Sequence, residues 1–308
     1  MSAGWRGMCF DIPSSVGWES VTPVEKGWSS DRKYRVRTRE GKDLLLRLSD
    51  IGQQDAKRRE YAIIGRYSRL GFAMSMPREF GVCEGGRSVY MLLTWVEGAD
   101  LEGALPTLPE PEQYRLGREA GNILRRIHSV PVADGDRPAR SKKARKLEQL
   151  SRYEASRVRI DGDGAVIRFV RENIDCIWRK PPVCQHGDFH PGNLILRADG
   201  SLGVIDFNRW EVGDPYEEFY KLESFGREVS VPYCVGQIDG YFGDAVPGDF
   251  WPALAVYVAH ASLFSITWAE RFGPADVAGM VRRCRMALED YDGFRAVVPK
   301  WYAEYKAR

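Results

Sequence analysis

The sequence is poor in several features that would each have pointed elsewhere. Its 308 residues include only six cysteines, Cys9, Cys83, Cys176, Cys184, Cys234 and Cys284, with no CxxC pair and no metal or redox spacing. That excludes a disulfide scaffold and a zinc ribbon. Neither sign of charge dominates: 45 Lys and Arg stand against 43 Asp and Glu, a net charge of +2. So even a balance gives no reason to expect nucleic acid or an anionic membrane as a partner. There is no internal repeat and no long low-complexity linker. The N-terminus lacks a charged-then-apolar leader pattern, so a reducing cytoplasm is the expected compartment.

Charge is missing locally as well. Trp251 to Ala269 contains no Asp, Glu, Lys or Arg over nineteen residues, which approaches the length of a membrane span. Pro252, Tyr257, His260, Ser262, Ser265 and Thr267 interrupt its apolar character, and the segment reads as a buried helix. With 44% hydrophobic residues, a chain of this length can bury a substantial core and fill two lobes.

What is present concentrates in one stretch. His186-Gly187-Asp188-Phe189-His190-Pro191-Gly192-Asn193 is followed by the apolar run Leu202 to Ile205, which ends in Asp206-Phe207. Leu194-Ile195-Leu196 reads as a short strand, Ala198-Asp199-Gly200-Ser201 as turn chemistry, and Leu202-Gly203-Val204-Ile205 as the returning strand. Such a hairpin carries Asn193 and Asp206 to neighbouring strand ends. Phosphoryl transfer passes through a loose transition state, so a protein catalyses it mainly by positioning and charge neutralisation. It needs one carboxylate facing the attacking hydroxyl, a role that falls to Asp188. It also needs hard oxygen ligands for magnesium, which the Asn193 amide and the Asp206 carboxylate supply. The Asp-x-x-x-x-Asn spacing occurs in kinase catalytic loops, with a metal-binding Asp after the next strand. His186 and His190 have a zinc-ligand spacing, but Pro191-Gly192 breaks the helix that would align them.

With these residues in view, the chain resembles the aminoglycoside phosphotransferases, within the wider aminoglycoside and choline kinase-like superfamily. His186 to Asn193, Ile205-Asp206-Phe207 and Gly213-Asp214-Pro215-Tyr216-Glu217-Glu218 carry the resemblance, which extends over nearly the whole chain. It implies an α+β, two-lobed protein-kinase-like fold with a small antiparallel-sheet lobe (1–95) and a larger, mainly helical lobe (96–308), hinged at about 93–98. It also implies ATP or GTP as donor with Mg2+, and a small hydroxylated, cationic acceptor, often an antibiotic. The family's base falls on Asp188, its metal ligands on Asn193 and Asp206, and a structurally supporting acid on Asp214.

The amino-terminal third fits a strand-rich lobe. Lys33 to Thr38 alternates like a strand, Glu40-Gly41-Lys42 turns, and Asp43 to Leu48 returns. A loop before this hairpin can fold over phosphates, with Ser29 and Ser30 as contacts, although Gly27 is its one glycine and no GxGxxG is present. Where kinase-like folds place a phosphate-contacting Lys, this chain has Arg47. Arg47 reads either as its replacement or as an edge-strand cation. Glu60 reads either as its helix partner or as a solvated residue. By the resemblance, the Thr94 carbonyl and the Val96 amide meet the nucleobase, and Leu93 backs the base pocket.

Acceptor identity is less legible. Between Asp206 and Glu228 seven acids face three bases, a local balance of −4, which would suit a polyamine sugar. A solvated helix face is the plainer reading. The basic run Arg140 to Lys146 reads as a solvated helix start or an anion-binding patch. Asp239, Asp244, Glu270, Trp268 and Tyr302 fall in the family's acceptor-holding segment without assignable roles. A macrolide, another antibiotic, a choline-like amine or a sugar metabolite are alternative acceptors. A nucleotide-binding pseudokinase is an alternative of another class, and a protein kinase is disfavoured because no A-P-E follows Asp206.

Overall fold

The structure is a computed structural model that describes residues 11–25, 31–243 and 245–308. Its strands are β1 (Trp18–Pro23), β2 (Arg32–Thr38), β3 (Asp43–Asp50), β4 (Ala73–Met74), β5 (Pro77–Cys83), β6 (Ser88–Thr94), β7 (Ala99–Asp100), β8 (Val183–Gln185), β9 (Leu194–Leu196), β10 (Leu202–Val204) and β11 (Glu211–Gly213). The α-helices are α1 (Gln54–Tyr67), α2 (Leu101–Ala104), α3 (Glu110–His128), α4 (Lys143–Glu154), α5 (Asp163–Asn173), α6 (Val231–Phe242), α7 (Phe250–Ala269), α8 (Pro274–Asp290) and α9 (Lys300–Lys306). The chain divides into two compact units. One runs to Ala99 and also takes Ile195–Asn208; the other comprises Asp100–Leu194 and Arg209–Arg308.

The first unit is built on a five-stranded sheet of order β1-β2-β3-β6-β5, all of whose neighbours are antiparallel. Alternation along the strands sorts the side chains onto two faces. Val36, Leu46, Leu48, Tyr90 and Leu92 pack with Ile12, Trp18 and Cys83 into a core on one face. The same period sends Lys33 and Arg47, which are register partners, to the other. The strand–turn–strand read for Leu194 to Ile205 is present: β9 and β10 are neighbours, and Arg197 donates its amide to the Ser201 carbonyl at 2.9 Å. Asp206 follows directly, with φ +62°, a left-handed backbone that costs a non-glycine residue about 1 kcal/mol or more.

The second unit is mainly helical. α3 and α6 approach until their backbones nearly touch. A Cβ at Gly117 would sit 2.2 Å from the Tyr233 carbonyl oxygen, and one at Gly240 would sit 2.2 Å from that of Arg118. α7 is the charge-poor segment, and Leu254, Tyr257, Leu263 and Ile266 along it are fully buried. It is long and apolar enough to cross a membrane, yet most of it is covered by the fold. The five cysteines among the described residues are free thiols.

One buried acid in this unit sets a pH dependence. Glu223 is 4% exposed and accepts the Trp301 indole N–H at 2.9 Å, while its Oε1 has no partner among the described residues. Burial pushes its pKa up to about 8; the Trp301 bond opposes this and the Asp290 carboxylate adds to it. The folded chain therefore keeps a proton that the unfolded chain releases near pH 4.3. Stability is expected to decline as pH rises from about 4.5 to about 8. Glu223→Gln, which cannot ionise, should be stabilised at pH 8 by on the order of 1 kcal/mol or more and be neutral at pH 5. Thermal melts at the two pH values check this, and equal melting shifts at both would refute it.

Candidate active site

Asp188 sits in a turn that only glycine permits at the preceding position. Gly187 has φ +81°, and a Cβ there would lie 1.9 Å from the Arg209 carbonyl oxygen. The turn hangs from Glu218, 3% exposed, which accepts the amides of His186 at 2.8 Å and Gly187 at 2.7 Å. His128 Nε2 lies 3.3 Å from the same carboxylate. Gly187→Ala is expected to cost at least about 1–2 kcal/mol from backbone strain alone, with the carbonyl clash added. A variant that melts and turns over like the parent would show that the turn is built differently.

The Asp188 side chain is 16% exposed and lies among basic side chains. Lys221 Nζ donates to Oδ1 at 2.6 Å, Arg209 Nε is 3.6 Å from Oδ2, and His190 Nε2 is 3.8 Å from Oδ1. Burial works against ionisation, but Lys221, His190 and Arg209 outweigh it and hold the carboxyl well below the usual carboxylate range. Burial pushes His190 itself down to about 4, against the pull of Asp188, so the imidazole is neutral at physiological pH. Its Nδ1 accepts the Gly192 amide at 3.2 Å, and its ring stacks on Phe225.

Asn193 donates its side-chain amide to the Asp188 carbonyl at 2.8 Å and turns the same nitrogen toward His190 Nε2 at 3.3 Å. That orientation leaves Oδ1 as its ligand atom. In the other unit the Asp206 carboxylate, 26% exposed, faces Lys33 Nζ at 3.2 Å. An amide oxygen and a carboxylate are hard donors of the kind magnesium takes alongside phosphate oxygens and water. Among the described residues no group of three or more His, Cys, Asp or Glu side chains is set to hold an ion by itself. Each is by its chemistry a donor of the type that a cation arriving with a phosphorylated ligand takes.

Arg47 is 3% exposed and lies in a closed cluster. Its Nε and Nη2 donate to Asp31 and its Nη1 to Glu60 at 2.5 Å. Lys57 Nζ bonds the same two acids at 2.8 and 3.1 Å. Glu60 is accordingly buried and paired, so the solvated-face reading of it does not hold. Leu93 is 2% exposed at the end of β6. Thr94 donates its amide to the Met76 carbonyl at 2.8 Å and accepts the Met76 amide on its hydroxyl. The Val96 amide has no backbone partner among the described residues. Ser29 and Ser30 lie outside the described residues, as does Asp244.

Asp214 is 1% exposed and accepts from the Trp178 and Tyr216 amides and the Tyr257 hydroxyl, a structural set of bonds. The remaining acids of the Asp206 to Glu228 run are also engaged. Glu211 pairs with Lys142, Glu217 with Lys146, and Glu228 with Arg282 and Arg283. These pairs offset much of the acidic run's charge, which weakens the physical argument for a polyamine-binding surface, and they likewise occupy Lys142 and Lys146 of the basic run. Asp239 is buried beneath Tyr114, Tyr302 and Lys306. The sequence reading missed Lys221, Arg209, Glu218, Lys33, Asp31 and Lys57. Of these, only the position of Glu218 inside a quoted motif offered a signal.

The class of protein that this fold and these residues define is a phosphotransferase on the kinase-like plan. A family model described as "Phosphotransferase enzyme family" matches residues 20–272, and the chain belongs to that family. No curated protein matches the sequence. Among solved structures, the GDP complex of a point mutant of aminoglycoside 2'-phosphotransferase-IIIa is 16% identical with a TM-score of 0.71, covering 94% of this chain and 97% of that one. A choline/ethanolamine kinase family protein from Mesorhizobium loti is 18% identical with a TM-score of 0.67, covering 95% and 96%. Macrolide 2'-phosphotransferase type I is 16% identical with a TM-score of 0.65, covering 92% and 98%. The chain is thus a small-molecule phosphotransferase with the family's kinase-like fold.

Proposed function

We propose that this phosphotransferase moves the terminal phosphoryl group of ATP or GTP to a hydroxyl of an aminoglycoside-like acceptor, with Asp188 as the base. The observation that carries the reaction is the Asp188 carboxylate, kept ionised by Lys221 at 2.6 Å and bonded to it through Oδ1. Oδ2 is the atom that takes the hydroxyl proton as the oxygen attacks phosphorus. Lys221 fixes the carboxylate rotamer, and neutral His190 fills the turn without competing for that proton. Asn193 Oδ1 and Asp206 are the atoms that would hold Mg2+, which would supply neutralisation of charge on the donor phosphates. The Thr94 carbonyl and Val96 amide take the base edge, with Leu93 behind it. In sequence terms the nucleotide lobe is 1–95.

The aminoglycoside rests on likeness: solved relatives include a GDP and kanamycin complex and a gentamicin complex. A second reading is favoured by a specific observation. Glu211, Glu217 and Glu228 have basic partners within the fold, and the base is flanked by Lys221 and Arg209. Such surroundings suit an acceptor with little positive charge at its reacting hydroxyl, such as a macrolide or a sugar metabolite. The test is Mg2+-dependent release of ADP and GDP across aminoglycosides, macrolides, amino alcohols and neutral sugars. Turnover confined to the aminoglycosides supports the first reading and turnover confined to neutral acceptors the second. Nucleotide binding with no turnover on any class would favour a pseudokinase.

A further inference from the structure

Donor phosphates in a kinase-like lobe need a cation that can reach them. Arg47 is poorly placed to be it. Its Nε, Nη1 and Nη2 are committed to Asp31 and Glu60, and its side chain is 3% exposed. Lys57 completes the cluster, and the two cations and two carboxylates cancel one another. Drawing Arg47 out toward a phosphate would leave two buried carboxylates with one ammonium, which is the costly way to treat buried charge.

Lys33 has none of these constraints. It is the register partner of Arg47 across β2 and β3, so the two side chains leave the sheet on the same face. Its ammonium lies 3.2 Å from Asp206 Oδ2, and both side chains keep contact with solvent, 12% and 26% exposed. Asp206 is the carboxylate assigned above to the ion that accompanies the phosphates. A compact ammonium on a flexible stem can exchange one anionic oxygen for another with little rearrangement. We infer that Lys33, on β2, is the cation that contacts the donor phosphates, and that Arg47, Glu60, Asp31 and Lys57 form a scaffold holding β3 against α1. Lys33 is thus a binding residue for the triphosphate, and Arg47 a structural one. The inference rests on the nucleoside triphosphate reading of the preceding section.

The test is calorimetric titration of the full chain with ATP and adenosine, and with GTP and guanosine, each with magnesium present. Lys33→Ala is expected to weaken triphosphate binding about tenfold or more and to leave nucleoside binding unchanged, with Lys33→Arg recovering part of the loss. Arg47→Met paired with Glu60→Leu, which removes the cation together with one buried acid, is expected to lower Tm yet keep the parent's preference for triphosphate over nucleoside. Triphosphate binding by Lys33→Ala equal to the parent's would overturn the assignment, as would loss of the preference in the Arg47→Met, Glu60→Leu pair. If Lys33 were only a counter-ion for Asp206, Lys33→Ala would lower Tm and keep the preference, which also overturns it. A parent protein that binds no nucleotide would instead sink the donor reading itself and this inference with it, so the two failures are distinguishable.

Discussion

Asp188→Asn is expected to lower kcat by about 10²–10⁴-fold while the dissociation constant for nucleotide stays within about twofold of the parent's. The amide keeps an oxygen for Lys221 and the shape of the turn, so only the proton acceptor is removed. Lys221, 4% exposed, loses its opposite charge, so melting should fall, and the assay belongs well below the variant's Tm. The parent's pH profile gives a second readout. Because Asp188 is held well below the usual carboxylate range and His190 titrates at about 4, neither should make kcat/KM fall between pH 8 and pH 5. A variant within tenfold of parental turnover would remove Asp188 from the chemistry.

The largest effect on stability is expected from Arg47→Met. Asp31 and Glu60 are buried, and among the described residues Lys57 is the other cation that bonds both, while Ser49 donates its hydroxyl to Asp31 at 2.7 Å. Breaking a buried ion cluster from one side costs about 3–5 kcal/mol, which for a chain of this size corresponds to a Tm drop on the order of 10 °C. Pairing Arg47→Met with Glu60→Leu removes one charge of each sign and should recover a large part of that loss, since replacing both partners with apolar groups is far less costly. The cluster also sets an acid limit. Burial works against the Asp31 carboxylate, yet Arg47 and Lys57 bring its pKa down to about 2. Its contribution is present above about pH 4, where an unfolded Asp is already ionised, and is lost as pH falls toward 2. Calorimetric melts of the single and double variants check the energetics. A loss below about 1 kcal/mol would mean that water reaches the cluster.

How much of this was readable depends on the distance between partners along the chain. Asp188, Asn193 and the hairpin leading to Asp206 fall within 19 consecutive positions, and local turn and strand signals set the loop and the hairpin. The charge-poor helix was readable for a similar reason, because its polar interruptions lie within its own length. Lys33 meets Asp206 across 173 positions and Lys221 meets Asp188 across 33. A lysine in an alternating strand or after a Tyr looks like any solvated cation until the fold brings a carboxylate to it. Arg47 and Glu60 were read as a pair thirteen positions apart, but Asp31 and Lys57 were not, and those two turn a phosphate-facing cation into a sealed one.

By itself the sequence determined the family, the kinase-like plan and the order of acid, amide and acid along one loop and hairpin, because these follow from residue identity at short spacing. Tertiary structure alone decided what the charges do. The acids from Glu211 to Glu228 and the basic run from Arg140 to Lys146 look like two binding surfaces in the sequence. In the fold, Lys142 meets Glu211 and Lys146 meets Glu217, and they neutralise each other. A charge interacts strongly only with what lies within a few ångströms of it. Composition counts the charges, and only the fold supplies their neighbours.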